Sequence, residues 1–163
     1  MMRVLAIVVL AVTSASLTAA QETIRSFAGT SVGATYSYSV ATNQTTKRIT
    51  LSFGPADEPA FTVEYVYRFP GVVMRNRPVV IDQVVTRHMS AESTPRVNAD
   101  VDGRVVRLSA RLTGSDVVTT TLEYPEFMHL VDAAILREHV FDADLEFSAG
   151  QMAFLRSLTA EMR

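Results

Sequence analysis

Hydrophobic and polar residues alternate strictly over residues 106–112, and an alternation continues over residues 118–124. A period of two is typical of a strand with one buried and one solvent-facing side. The four residues between the runs, 113–116, read Thr-Gly-Ser-Asp and predict a turn. We therefore expect one strand over 105–112, a turn, and an antiparallel return strand.

The same alternation recurs upstream of this hairpin in four segments, at residues 36–40, 48–53, 61–69 and 96–101. Residues 79–87 predict a further strand that is apolar on both sides except at Asp82 and Gln83. Gly54-Pro55 and Pro70-Gly71 end two of these runs, because proline cannot donate to a strand ladder. Asp102-Gly103 predicts a tight turn into the hairpin, since both central positions of that turn favour a positive φ. Residues 21–34 are small and polar, so we expect a loosely tied lead-in, and residues 89–95 predict a loop.

The period changes from two to 3.6 after residue 124. Pro125 precedes an apolar helical stripe made of Phe127, Leu130, Val131, Ala134 and Ile135. Residues 141–147 alternate again and predict one more strand. Ser148 and Gln151 have the spacing of a capping box, which predicts a second helix over residues 151–162.

These elements predict an α+β fold for residues 21–163, as a single domain. We expect about seven or eight strands in a mainly antiparallel sheet, either a sandwich or a partly closed barrel, because short turns join most neighbouring strands. The two C-terminal helices are expected to pack on that sheet.

The first twenty residues have the pattern of a secretory signal peptide. Arg3 supplies a positive start, residues 4–12 are apolar, and Thr18-Ala19-Ala20 supplies small residues for cleavage. The apolar run is too short for a spanning helix, which needs about 20 residues, and no later segment is apolar for longer. We expect an exported chain, periplasmic or secreted, with no transmembrane segment after cleavage.

Composition excludes several classes of site. The chain has no cysteine, so disulfides and thiolate metal sites are excluded. Residues 21–115 carry eleven Lys or Arg against eight acids, whereas residues 116–163 carry three against nine. Basic residues alternate with acids and hydrophobes instead of clustering, so we expect no nucleic-acid partner.

Candidate catalytic chemistry is sparse. His129 lies three residues before Asp132 and His139 three before Asp142, but no metal-ligand motif accompanies them, so we expect neither metal nor cofactor. Residues 142, 144 and 146 are acidic, and alternation accounts for them as the solvent face of a strand. No nucleophile motif of a known hydrolase class is present. The sequence favours a protein that is not an enzyme, and a small periplasmic hydrolase using His88, His129 or His139 is the alternative.

Two sets of residues are candidates for binding. An aromatic face is expected to form either plain core or the lining of a site for a small apolar ligand; it consists of Tyr36, Tyr38, Phe61, Tyr65, Tyr67 and Phe69. Arg107 and Arg111 share the polar face of the predicted 105–112 strand, with Arg104 just outside it. These arginines form either a solvated face or a site for an acidic protein partner. The sequence therefore predicts an exported, non-catalytic binding or interaction module of the bacterial cell envelope.

Overall fold

The structure is a computed structural model that describes residues 21–27, 30–55, 57–88 and 97–163. For residues 21–27 and for Thr30 it describes the backbone alone. The predicted signal peptide and the predicted loop at residues 89–95 lie outside the described residues.

The elements follow one another in a mostly β order that ends with helices. The strands are β1 (Gln21–Phe27), β2 (Thr30–Ser39), β3 (Gln44–Phe53), β4 (Phe61–Pro70), β5 (Val80–Arg87), β6 (Val97–Val101), β7 (Arg104–Arg107), β8 (Ala110–Leu112), β9 (Val117–Glu123), β10 (Leu136–Val140) and β11 (Ala143–Phe147). Helix α1 (Tyr124–Asp132) stands between β9 and β10, and α2 (Ala149–Leu158) follows β11. A 3-10 turn, Ala160–Met162, ends the chain.

The strands form two antiparallel sheets. The larger has seven strands in the order β1-β2-β3-β4-β5-β9-β8, and the smaller has four in the order β11-β10-β6-β7. Neither sheet closes into a barrel. The predicted α+β class, with a mainly antiparallel sheet and two C-terminal helices, is confirmed.

The inner faces of the two sheets share one core. The rings of Phe53 on β3 and Phe147 on β11 meet edge to face with centroids 5.1 Å apart. Helix α1 contacts β5 and β9, and α2 contacts β2, so the helices cover inner-face area of the larger sheet beside the smaller sheet. The ring of Phe127 on α1, which is fully buried, lies 5.1 Å from that of Tyr65.

The single strand predicted over residues 105–112 is wrong, because the chain changes sheets inside it. β7 pairs with β6 in the smaller sheet, whereas β8 pairs with β9 in the larger one. Leu108 and Ser109 make the crossing, and the Leu108 amide donates to the Val97 carbonyl at 3.3 Å. The predicted turn at 113–116 is confirmed, since the Thr113 amide donates to the Val117 carbonyl at 2.9 Å.

The predicted stripe of the first helix is too long. α1 ends at Asp132, and both Ala134 and Ile135 are exposed. Ala133 takes an extended backbone (φ −54°, ψ 137°), which directs the chain into β10. The hydrophobic pattern did not predict β10, because Glu138 stands between Leu136 and Val140 on the inner face of this strand.

Other boundaries also differ from the prediction. The lead-in expected at residues 21–34 is instead β1 and the first half of β2, paired along their length. The strand expected at 141 begins at Ala143, because Phe141 has a positive φ of 57° in the β10–β11 turn. The second helix becomes a 3-10 turn after Leu158.

Two local signals are confirmed. Asp102 and Gly103 both have positive φ, 52° and 81°, as the predicted tight turn requires. Ser148 and Gln151 form a reciprocal capping box at the start of α2. Within the described residues, no helix combines the length and the apolar character needed to cross a bilayer.

Candidate functional site

The outer face of the four-stranded sheet carries two rows of mostly polar side chains. Strand alternation turns the apolar residues of β6, β10 and β11 inward, together with Glu138, and leaves the other polar residues outside. The register aligns the outward residues of all four strands. One row is Arg107, Asn98, His139 and Asp144, and the next is Val105, Asp100, Arg137 and Glu146.

Six of these residues line a shallow groove of about 270 Å³: Asn98, Asp100, Val105, Arg137, His139 and Asp144. His139 Nδ1 lies 2.9 Å from Asp144 Oδ1, and Arg137 Nη2 lies 3.4 Å from Glu146 Oε2. Asp100 Oδ1 is buried and accepts no hydrogen bond from the described residues. The groove therefore combines a histidine–aspartate contact and an arginine–glutamate ion pair with a buried acceptor that has no donor among the described residues.

This arrangement suits recognition of a polar surface. Opposite charges on neighbouring strands make a patterned field with no dominant sign, and such patterns set the partner and the orientation of a complex more than its affinity. An exposed cross-strand pair contributes little to folding stability, about 0.2–1 kcal/mol.

The three predicted partner-binding arginines do not lie on one face. Arg107 is on the outer face of the smaller sheet, opposite Asn98. Arg104 has the opposite strand parity, opposite Val101, and Arg111 belongs to β8 in the larger sheet, opposite Thr119. All three are exposed. Of the three, only Arg107 lies on the outer face that holds the groove, next to its lining residue Asn98.

The His–Asp spacings noted in the sequence correspond to other contacts in the structure. His139 pairs with Asp144 rather than Asp142, and Asp132 pairs with Arg163 rather than His129. His88 Nε2 lies 2.8 Å from Thr62 Oγ1. Among the described residues, no three His, Asp or Glu side chains are grouped to hold a metal ion.

The predicted aromatic ligand face points into the core. Tyr65, Tyr67 and Phe69 are at most 4% exposed, and Phe61, Tyr36 and Tyr38 are partly buried. The Tyr38 hydroxyl donates to Asn43 Oδ1 at 3.0 Å. The buried tyrosine hydroxyls reach two polar clusters that the sequence analysis did not identify.

The first cluster lies between the sheets and is centred on Glu138, whose side chain is fully buried. Gln83 Nε2 donates to both carboxylate oxygens at 2.8 and 2.9 Å, and the Tyr65 hydroxyl donates to Oε1 at 3.1 Å. Burial raises the pKa of Glu138 to about 7, against the opposing effect of these hydrogen bonds. The same burial raises the pKa of Tyr65, with the Glu138 charge adding to it.

The second cluster surrounds Lys47, the one lysine of the chain, whose side chain is 1% exposed. Its ammonium donates to Glu161 Oε1 at 2.5 Å and to the Leu158 carbonyl. The ammonium also lies 4.7 Å from the ring centroid of Tyr36 and 5.8 Å from that of Tyr67. Both tyrosine hydroxyls donate to Glu161 Oε1, at 3.4 and 3.1 Å.

Burial is the largest cause of the pKa shifts of Lys47, Tyr36 and Tyr67 in this second cluster. It lowers the pKa of Lys47 although Glu161 opposes the shift. It raises the pKa of Tyr36 to about 12 and also raises that of Tyr67, with the Glu161 charge as the next cause in both. The cluster ties the C-terminal turn to the larger sheet.

Strand parity is the signal that identifies Lys47, because it has the same parity as Ile49, Leu51 and Phe53 on the inner face of β3. No comparable pattern identifies Glu138, because the sequence does not predict the strand β10 on which it lies. Comparison of the chain with protein-family models, with curated proteins and with solved structures finds no match.

Proposed function

We propose that this protein is an exported, non-catalytic interaction module of the bacterial cell envelope that binds a protein partner through the outer face of its four-stranded sheet. One observation carries the proposal: Arg107, Asn98, Asp100, Arg137, His139 and Asp144 converge from four strands on one solvent-facing surface. Paired charges of both signs suit a polar polypeptide surface. Export rests on the pattern of residues 1–20.

Salt-dependent capture with a matched pair of arginine variants tests the proposal. The purified chain is immobilised and exposed to envelope extract at low and high salt. We expect one partner to be retained at low salt and released at high salt. Arg107→Glu should abolish capture, and Arg111→Glu, an equally exposed arginine on the larger sheet, should retain it. Equal capture by both variants would overturn the assignment to this face.

Binding of a small apolar ligand on the aromatic face is a second candidate function, and it has less support than binding of a protein partner. Tyr65 and Tyr67 pack among core residues, and their hydroxyls already bond to carboxylates of this chain. Native mass spectrometry tests this candidate function, which predicts a co-purifying apolar molecule and is contradicted by the bare mass of the chain.

A small periplasmic hydrolase is the alternative, and the contact of His139 with Asp144 favours it. A carboxylate 2.9 Å from one ring nitrogen orients a histidine for proton abstraction from water. The lining of the groove includes no serine, threonine or cysteine, so water would be the nucleophile. Hydrolysis of chromogenic esters that is lost in His139→Ala and retained in His88→Ala would support the alternative. No turnover, or turnover retained in His139→Ala, would contradict it.

A further inference from the structure

Two loops lie side by side at one end of the seven-stranded sheet. One, residues 40–43, joins β2 to β3, and the other, residues 71–79, joins β4 to β5. The Gly71 amide donates to the Asn43 carbonyl at 2.9 Å, and the Thr45 hydroxyl donates to the Gly71 carbonyl at 2.5 Å. These bonds hold the loops together as one surface.

That surface exposes apolar and basic side chains. Val40, Val72 and Val73 are 62%, 70% and 71% exposed. Arg68, near the end of β4, and Arg75, in the β4–β5 loop, are also exposed. We call these five residues the loop end. An open groove of about 450 Å³ runs between the loops and is lined by Asn43, Pro70, Gly71, Val72, Val73, Arg75 and Asn76.

Carboxylates are missing from the chain segments that build the loop end. The sequence contains no Asp or Glu over residues 23–56 or over residues 65–81. Neighbouring elements bring Glu161, which bonds to Lys47, and Glu123, which is paired with Val80 on the β5–β9 side. Asp82 on β5, opposite Val66, accepts a hydrogen bond from the Thr121 hydroxyl. Glu64 on β4 pairs with Arg48. Arg68 and Arg75 make no ion pair with any described residue.

We infer that the loop end docks on the surface of an anionic lipid bilayer, with Val72 and Val73 in the headgroup layer and Arg68 and Arg75 against lipid phosphates. Exposed apolar side chains gain by leaving water, and basic side chains near an anionic surface add to that attraction. Neither loop carries a carboxylate whose repulsion would oppose this docking. This surface is separate from the groove of the smaller sheet.

The exposure pattern favours a lipid surface over a folded protein partner. Val72 and Val73 are successive residues, and each is about 70% exposed, so both project freely from the loop. A fluid headgroup layer surrounds a loop and contacts both side chains at once. Val40 in the neighbouring loop is 62% exposed and adds a third apolar side chain.

The chain contains no tryptophan, so a single substitution supplies a position-specific fluorescent reporter. Val73→Trp places it in the loop end. Leu112→Trp is the control, because Leu112 is 47% exposed at the opposite end of the same sheet. With vesicles of phosphatidylcholine and phosphatidylglycerol, we expect a blue shift for Val73→Trp and none for Leu112→Trp. Vesicles of phosphatidylcholine alone should produce a smaller shift.

Charge substitutions measure the electrostatic part by vesicle sedimentation. Arg75→Ala should lower partitioning about fivefold, the value of one basic residue near an anionic surface. Arg111→Ala, on β8, should leave it unchanged. All variants are compared in the same processed form, checked by mass. The apolar run at residues 4–12 then makes no difference between one variant and another. Equal shifts for the two reporters, no shift for either, or a shift independent of phosphatidylglycerol would overturn the inference.

Discussion

The hydroxyl of Tyr65 on β4 donates a hydrogen bond of 3.1 Å to the carboxylate of Glu138 on β10, across the interface between the two sheets. Gln83 on β5 completes this contact by donating to both carboxylate oxygens. The two residues that bond to Glu138 therefore come from β4 and β5 of the larger sheet, whereas Glu138 lies in the smaller one. A buried ionisable group held in this way makes the docking of the two sheets sensitive to pH.

Glu138 makes folding stability fall as pH rises from about 4.5 to about 7. The pKa of Glu138 is about 7 in the folded protein, against an ordinary value of 4.5. Between these two pH values the folded state therefore holds a proton that the unfolded state has lost. The stabilisation is complete below pH 4.5 and lost above pH 7, a difference of about 3 kcal/mol. Urea unfolding at several pH values measures it. Glu138→Gln should remove this slope, and Glu58→Gln, at an exposed loop position, should keep it.

Glu161 neutralises the buried Lys47 ammonium. Removal of Glu161 alone should therefore lower the unfolding free energy more than removal of both Glu161 and Lys47. Glu161→Ala leaves that charge with the Leu158 carbonyl and two ring faces, and we expect a loss of about 2–3 kcal/mol in unfolding free energy. Lys47→Met combined with Glu161→Ala should be more stable than Glu161→Ala alone. Chemical denaturation of the four-member cycle measures this, and an additive result would contradict the coupling.

Gly54 is the glycine whose substitution should disturb the β3–β4 turn. Its φ is +110°, and a Cβ there would lie 2.8 Å from the Ala60 amide nitrogen. We expect Gly54→Ala to lower the unfolding free energy by about 2 kcal/mol or more, from backbone strain plus the contact. Gly114→Ala is the matched control, since its Cβ would meet only Val117 side-chain atoms at 3.8 Å. Equal losses in the two variants would be inconsistent with this geometry.

Ser148 caps α2, because its side chain accepts the Gln151 amide at 3.2 Å. Ser148→Ala should reduce stability by about 1 kcal/mol, within the usual range for a lost cap. Ser148→Asp should retain most of it, because aspartate also accepts this bond and favours a helix N-terminus. Thermal unfolding of both variants measures the difference. Equal destabilisation of the two would show that the serine acts by another route.

Local patterns in the sequence determined both helices, the turns at 102–103 and 113–116, and most of the strands, with β1 and β10 as the exceptions. Alternation and the 3.6 period depend only on which side of an element is buried, so neighbouring residues carry that information. Asp102-Gly103 and Ser148-Gln151 likewise act within a few residues, and the structure confirms both. The inward parity of Lys47 was also readable from β3 alone.

Tertiary structure decided which sheet each strand joins and which side chains meet. Nothing local marks Leu108 and Ser109 as the crossing between sheets, because strand pairing depends on backbone partners far along the chain. Arg107 therefore meets Asn98 while Arg111 meets Thr119. The contacts of Glu138 with Tyr65, and of Lys47 with Glu161, span 73 and 114 residues. Tyr65 meets Glu138 only when the two sheets dock, and Lys47 meets Glu161 only when the C-terminal turn packs on the larger sheet.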